Sequence, residues 1–247
     1  PGLRSRIWTT PSGVTDLEFA PGGEALVAGS GPQALVFDWP SGVQQDGRVF
    51  DNVVKNVDFA PDGALVVAAV RPDDGAPSAV VKQVGPGAWE PYGVPGPPGL
   101  RRMVMLGDDM VVAGWSPTGP RHIPGEKGQT QWSIADAAGR AGALANTPDA
   151  SRAIWSGPSG LWVMDAGDTA PRLIPEIPFA WKLSIDQTGS IALLDTVDTC
   201  LLVELETGTV RWKQPRPTTK PTAVAVGPDG RFGATGLRGG RVLLRDL

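Results

Sequence analysis

The chain contains one histidine, His122, and one cysteine, Cys200, so the side chains most used for nucleophilic and metal chemistry occur once each. A lone histidine works as a general base or metal ligand only with companions placed for it. No GxSxG, HExxH, Walker-type or EF-hand pattern supplies them. A Cys/His zinc site is excluded by count. PDDG at residues 72–75 and GDD at residues 107–109 could offer carboxylates to calcium. Aspartate and glycine are also what tight turns select, and neither stretch completes a calcium-binding loop. No catalytic residue, metal or cofactor is therefore expected.

Three further stretches suit binding rather than bond-making. RWKQPRPTTK, residues 211–220, carries four basic residues and no acid, including Arg216 and Lys220. It reads either as a loop for an acidic partner or as a solvated, proline-stiffened connection. IPEIPFAW, residues 174–181, is apolar for a junction, which makes Phe179 and Trp181 either core plugs or a protein-docking patch. Tyr92 stands in PYGVPGPPG, a long Pro/Gly-rich loop, and poses the same choice.

Composition narrows the class of protein that positions these residues. A length of 247 residues with 41% hydrophobic content can fill a sizeable core. The 33 glycines and 25 prolines recur at intervals, as turn residues do between many short strands. A net charge of -4 gives no field favouring nucleic acid or an anionic membrane. The longest apolar run, Ala64 to Val70, is far short of the ~18 residues of a membrane span. PGLRSRIWTT has arginines but no apolar signal core, and a soluble, cytoplasmic protein is the expectation.

Self-comparison shows a repeat. A tight-turn column runs through Gly23, Gly63, Asp109, Ala150, Gly189 and Gly230, with gaps of 40, 46, 41, 39 and 41 residues. Periods of this length mark propeller blades. A second column, at the ends of the expected third strands, holds Asp38, Gln83, His122, Asp165, Glu204 and Asp246. His122 thus falls where other repeats carry Asp, Glu or Gln, a structural position. A bulky column, Phe50, Trp89, Trp132, Leu173 and Trp212, extends backward to Trp8. LRSRIWTT is then the fourth strand of the last repeat, joining the three strands of PTAVAVGPDGRFGATGLRGGRVLLRDL and covering an open sheet edge. The expected fold is all-β, one domain spanning 1–247: a six-bladed β-propeller of four-stranded blades, with Trp stacking between blades.

VTDLEFAPGGEALVAGSGPQALVFDWPSG and the C-terminal repeat resemble bacterial WD40 repeats, with FDW and LRDL where that family has its Trp-Asp pair, and ELETGTVRW resembles quinoprotein-like propeller repeats. The Gly-His dipeptide and the Trp of the Trp-Asp pair are missing, so the family's Asp-His-Ser-Trp network is not carried over. The resemblance implies a central channel, and eight residues before the turn column lie Thr15, Lys55, Arg101, Gly142, Trp181 and Thr222 at its mouth. Some six-bladed propeller enzymes hold a calcium ion near such positions with acidic and amide side chains, and this ring has none. A shift of one residue brings in Asp16 and Asn56, but also Arg102 and Lys182, and the balance stays cationic.

The expected function is a noncatalytic interaction scaffold. Loops on the channel-mouth face would grip another protein or an acidic peptide, with Tyr92, Phe179 and Trp181 as anchors and Lys55, Arg101, Arg216 and Lys220 reading acidic groups. The alternatives are a hydrolase or lactonase with a channel metal, and a small-ligand or glycan binder using Trp faces.

Overall fold

The computed structural model describes all residues except 1–9, 21–22, 39–40, 61, 71–78, 86, 93–99, 115–120, 124–141, 219–220, 228, 238–241 and 247. The described residues are strands and turns, arranged as six separate antiparallel sheets. Chain contacts divide them between two compact units, residues 1–99 and 100–247.

The first unit holds two four-stranded sheets in simple up-and-down order. One is β1 (Val14–Phe19), β2 (Ala25–Ser30), β3 (Gln33–Asp38) and β4 (Gln44–Val49). Its neighbour is β5 (Val53–Phe59), β6 (Leu65–Val70), β7 (Ala79–Gly85) and β8 (Ala88–Pro91). Their shared core packs Val27 and Ala34 of one sheet against Val54, Val57, Leu65 and Val67 of the other. At its edge the Phe50 and Trp89 rings meet edge to face at 5.7 Å, with the Arg48 guanidinium 4.9 Å and 5.2 Å from their centroids. The bulky column therefore does join neighbouring sheets here.

The second unit starts with a three-stranded sheet, β9 (Leu100–Leu106), β10 (Asp109–Gly114) and β11 (Arg121–Ile123). Two four-stranded sheets follow: β12 (Leu144–Asn146), β13 (Arg152–Gly157), β14 (Gly160–Asp165) and β15 (Arg172–Pro175), then β16 (Ala180–Ile185), β17 (Ile191–Thr196), β18 (Thr199–Glu204) and β19 (Val210–Pro215). The last sheet, β20 (Pro221–Val226), β21 (Phe232–Leu237) and β22 (Val242–Asp246), again has three strands. In the sheets β1–β4, β12–β15 and β16–β19 the second and third strands are the most buried, as continuous apolar runs should be. All six residues of β17 are buried.

The expectation of six four-stranded blades needs correction. Four sheets have four strands, and two show three among the described residues. The segments expected to complete those two, around Trp132 and Trp8, lie outside the described residues. The Trp surplus also has a second use. Trp155 of β13 and Trp162 of β14 stand opposite each other in the ladder and stack nearly parallel, 6.4 Å apart. With Val104, Leu106 and Val111 they fill the core between the first two sheets of this unit.

The turn column is explained by backbone conformation. Gly23, Gly63, Gly189 and Gly230 have φ between 69° and 80°, and Ala150 has φ 54°. Each donates its N–H to the carbonyl three residues earlier, to Ala20, Ala60, Asp186, Gly227 and Thr147 respectively. In the Pro-Asp turns the aspartate accepts an N–H two residues on: Asp62 from Ala64, Asp149 from Ser151, Asp229 from Arg231. The side chain thereby ties down a backbone donor the hairpin would otherwise leave loose. In the third repeat the left-handed residue is Gly107, φ 58°, rather than Asp109, which already opens β10.

Candidate functional site

The innermost strands share a defect that the sequence column anticipated only as a position. In five sheets the ladder between first and second strands skips one residue near the start of the first strand. The skipped residues are Thr15, Lys55, Arg101, Trp181 and Thr222, so the column marks a β-bulge. A bulge leaves one residue out of pairing and turns the strand sharply, which re-aims the residues after it. Gly142, the sixth member, instead bonds its N–H to the Ser156 carbonyl at 2.8 Å. A Cβ on Gly142 would overlap the Ala180 carbonyl oxygen and lie 2.7 Å from Phe179 Cζ. Only glycine admits this approach.

Side-chain clips hold the inner strands of the second unit together. Asn146 Nδ2 donates to the Met105 carbonyl at 3.1 Å, the Ala180 N–H donates to Ser156 Oγ at 2.7 Å, and the Val226 N–H donates to Ser184 Oγ at 3.2 Å. Each bond joins one sheet to the next. Where β9, β12, β16 and β20 converge they enclose a cavity of about 200 Å³ lined by Arg102, Ala143, Leu144, Lys182, Leu183, Ala223 and Val224. These are the first and second residues after the bulge column. Among the described residues two cations and no acid line this space, while Leu144, Leu183 and Val224 form an apolar wall. Arg102 and Lys182 are both half-buried.

Beside the cavity, Phe179 and Trp181 meet edge to face with centroids 5.0 Å apart. Trp181 is 47% exposed, the outward half of the pair. Phe179 packs toward Gly142, the neighbour of cavity-lining Ala143. Phe179 is half-buried and Trp181 is exposed.

The remaining residues singled out from sequence are scattered. Lys55 is the half-buried bulge residue of β5 in the first unit. Arg101 is the bulge residue of β9. Tyr92 is buried, 4% exposed, with its N–H on the Val80 carbonyl and Lys82 Nζ 5.8 Å from its ring centroid. This corrects its use as a presented anchor: the Pro/Gly-rich surroundings suggest a loop, yet the residue closes the hairpin of β7 and β8. Arg216 makes a bidentate pair with Asp195, Nε to Oδ1 at 3.0 Å and Nη2 to Oδ2 at 2.9 Å, and Asp195 is fully buried. Lys220 lies outside the described residues, as does PDDG at 72–75.

The third-strand column serves turns and sheet joints. Asp38 accepts from Ser41 and Gln45, Gln83 donates to Asp46 of the neighbouring sheet, Asp165 pairs with Arg152, and Glu204 with Arg211. Arg152 holds the Asp165 carboxyl below its ordinary range through that hydrogen bond. His122 lies on β11 opposite Val111.

In the first unit Asp16, Glu18 and Asp58 gather on the inner strands. Burial, then the charges of Asp58 and Asp16, push the Glu18 carboxyl up to about 8. Asp16 already accepts from Asn56 Nδ2 and the Val57 N–H. Among the described residues no group of three or more His, Cys, Asp or Glu side chains is arranged to hold a metal ion.

No protein-family model matches the sequence, and no curated protein does. Among solved structures, the chain is similar to the Cps50 (Swd1) β-propeller domain of Myceliophteria thermophila, with 13% identity over 100% of this chain and 87% of that one, at a TM-score of 0.77. At that identity the likeness shows the fold, and the fold is a β-propeller built from four-stranded antiparallel blades.

Proposed function

We propose that the chain is a noncatalytic, WD40-like scaffold that docks a partner protein or an acidic peptide on the bulge-bearing ends of its inner strands. One observation carries this reading: in the second unit these ends converge on a cavity whose described lining residues include two cations and no acid, beside a tryptophan that is 47% exposed. An exposed aromatic on a rigid frame is the usual core of a protein-docking hot spot, and flanking cations select an acidic partner and speed its approach. Propellers host many activities, so the reading rests on this site and not on the fold. The neighbouring domain is named only for its β-propeller and adds no partner.

Of the residues expected to bind, Trp181 and Phe179 keep that role, and Arg102 and Lys182 join them. Arg101 and Lys220 stay as secondary contacts of the proposal, and Lys55 stays a separate candidate contact on the first unit. Arg216 is assigned to the frame. A cytoplasmic location is part of the same proposal, consistent with the single buried cysteine.

The test is affinity purification with mass spectrometry, comparing the wild type, the Trp181→Ser/Arg102→Gln double variant and Arg211→Ala on outer strand β19. Partners retained by wild type and Arg211→Ala but lost from the double variant support the assignment. Partners lost only from Arg211→Ala would move the interface to the outer strands.

A further inference from the structure

The docking function assigned to these strand ends rests on the aim of Trp181, and the strand's own ladder does not set that aim. β16 pairs Ala180 with Thr196 and Lys182 with Asp195 and passes over position 181. A bulged residue has no cross-strand pair, so the peptides beside it decide where its side chain points. Building on the docking function, we infer that Ser156, a residue of β13 only 1% exposed, is the positioning residue for the Phe179–Trp181 pair and so for the partner, which it never touches.

Three groups of Ser156 meet at the joint between two sheets. Its N–H donates to the Ala143 carbonyl at 3.0 Å and its carbonyl accepts from the Gly142 N–H at 2.8 Å, extending the ladder of β12 with β13. Its Oγ accepts from the Ala180 N–H at 2.7 Å and so crosses to β16. Ala180 is fully buried, and without Oγ its N–H has no water to turn to. On the next peptide the Ala180 carbonyl lies against Gly142, where a Cβ would come within 2.1 Å of its oxygen. Both peptides leading into Trp181 are therefore located by the preceding sheet. The Phe179 ring rests on the same glycine and meets Trp181 edge to face with centroids 5.0 Å apart, so a displaced peptide moves both rings.

The bulge at Thr15 shows the other way to fix such a residue. There the bulged side chain anchors itself, its hydroxyl meeting the Val54 carbonyl of the next sheet at 2.9 Å and the Gly29 carbonyl at 3.1 Å. Trp181 is turned outward, 47% exposed, and the anchoring hydroxyl comes from Ser156 instead. A ring held in place before the partner arrives loses less freedom on binding.

The experiment uses the full chain labelled with 5-fluorotryptophan, the Trp181 resonance being assigned by its loss in Trp181→Phe. Ser156→Ala is compared with Ile154→Val and Leu201→Ala, two core changes that bracket its loss of stability and leave the clip intact. The ¹⁹F shift of Trp181, its change between H₂O and D₂O, and the unfolding midpoint are read for each. The protein co-purified by the wild-type chain is then titrated against all of them. Ser156→Ala should move the Trp181 resonance and weaken the partner roughly 3–10-fold, the range that ordering one side chain costs, while both core variants do neither.

A Trp181 resonance unchanged in Ser156→Ala, or moved equally by the core variants, would overturn the positioning role. Full affinity in Ser156→Ala beside lost affinity in the Trp181→Ser/Arg102→Gln double variant would also overturn it and leave the docking reading standing. Full affinity in that double variant would instead sink the docking reading, and the positioning role with it.

Discussion

Removing the Arg216 guanidinium separates a framework residue from a free binding residue more sharply than any other change. The Asp195 carboxylate is 0% exposed, and Arg216, 21% exposed, meets both of its oxygens at 3.0 and 2.9 Å while also approaching the Val197 carbonyl at 3.4 Å. Arg216→Ala leaves a charge buried without its counter-ion, a change that costs about 3–5 kcal/mol. For a chain of this size that is a fall in Tm of roughly 6–20 °C. Arg211→Ala is the control, because the Arg211–Glu204 pair is solvent-facing and such screened pairs contribute little to stability. Replacing both partners, as in Asp195→Leu/Arg216→Met, removes the orphaned charge and should restore most of the loss. Urea unfolding followed by circular dichroism measures all four proteins. An Arg216→Ala loss of ~1 kcal/mol or less would refute the reasoning and return Arg216 to the binding residues suggested by its basic loop.

Other expectations concern the inner strands and the turns. Gly142→Ala should cost roughly 1–3 kcal/mol, because the new methyl must displace the Ala180 backbone and the Phe179 ring, and Trp181 emission should shift with it. Gly63→Ala and Gly230→Ala both force a non-glycine residue to positive φ, but only at Gly230 does the Cβ meet a neighbour, Ile191 Cδ1 at 2.7 Å. The first should cost about 1 kcal/mol and the second clearly more, by the same urea assay. Glu18 has a folded-state pKa raised from 4.5 to about 8, so the folded protein binds more protons than the unfolded one between those values. Stability should therefore fall as pH rises through that window, by at most roughly 5 kcal/mol and, given partial exposure, nearer 2–3 kcal/mol. Glu18→Gln should flatten this fall, and a midpoint unchanged from pH 5 to 8.5 in the wild type would contradict it.

Much of the strand order was legible because the period is carried by residues with a backbone reason. Gly63 and Gly230 sit where φ is positive, and Asp62 and Asp229 cap the N–H groups beside them, so PDG repeats in sequence as it repeats in space. The third repeat misled at Asp109 because its hairpin turns on Gly107, shortening the motif by two residues. The channel-mouth column located the bulges, yet the residues the bulges aim at the cavity are those that come next, Arg102 and Lys182. A one-residue offset reverses the face of a strand, and nothing in a strand's own sequence marks which residue is skipped. Tyr92 was misplaced for a related reason: its burial comes from partners in β7, remote from its loop-like neighbours. The Arg216–Asp195 pair spans 21 residues and two strand turns, and no local pattern joins the two. Trp155 and Trp162 lay outside the bulky column, although their opposition across one hairpin follows from the register once the turn at Gly160 is placed.

The most direct test places p-benzoylphenylalanine at exposed Trp181 on β16 or, in a second protein, at exposed Gln214 on outer strand β19, and irradiates each in the presence of the co-purifying partner. A covalent adduct from position 181 and none from position 214 is the expected result. The reverse pattern would show that the partner sits on the outer strands and that the cationic cavity is not where it docks.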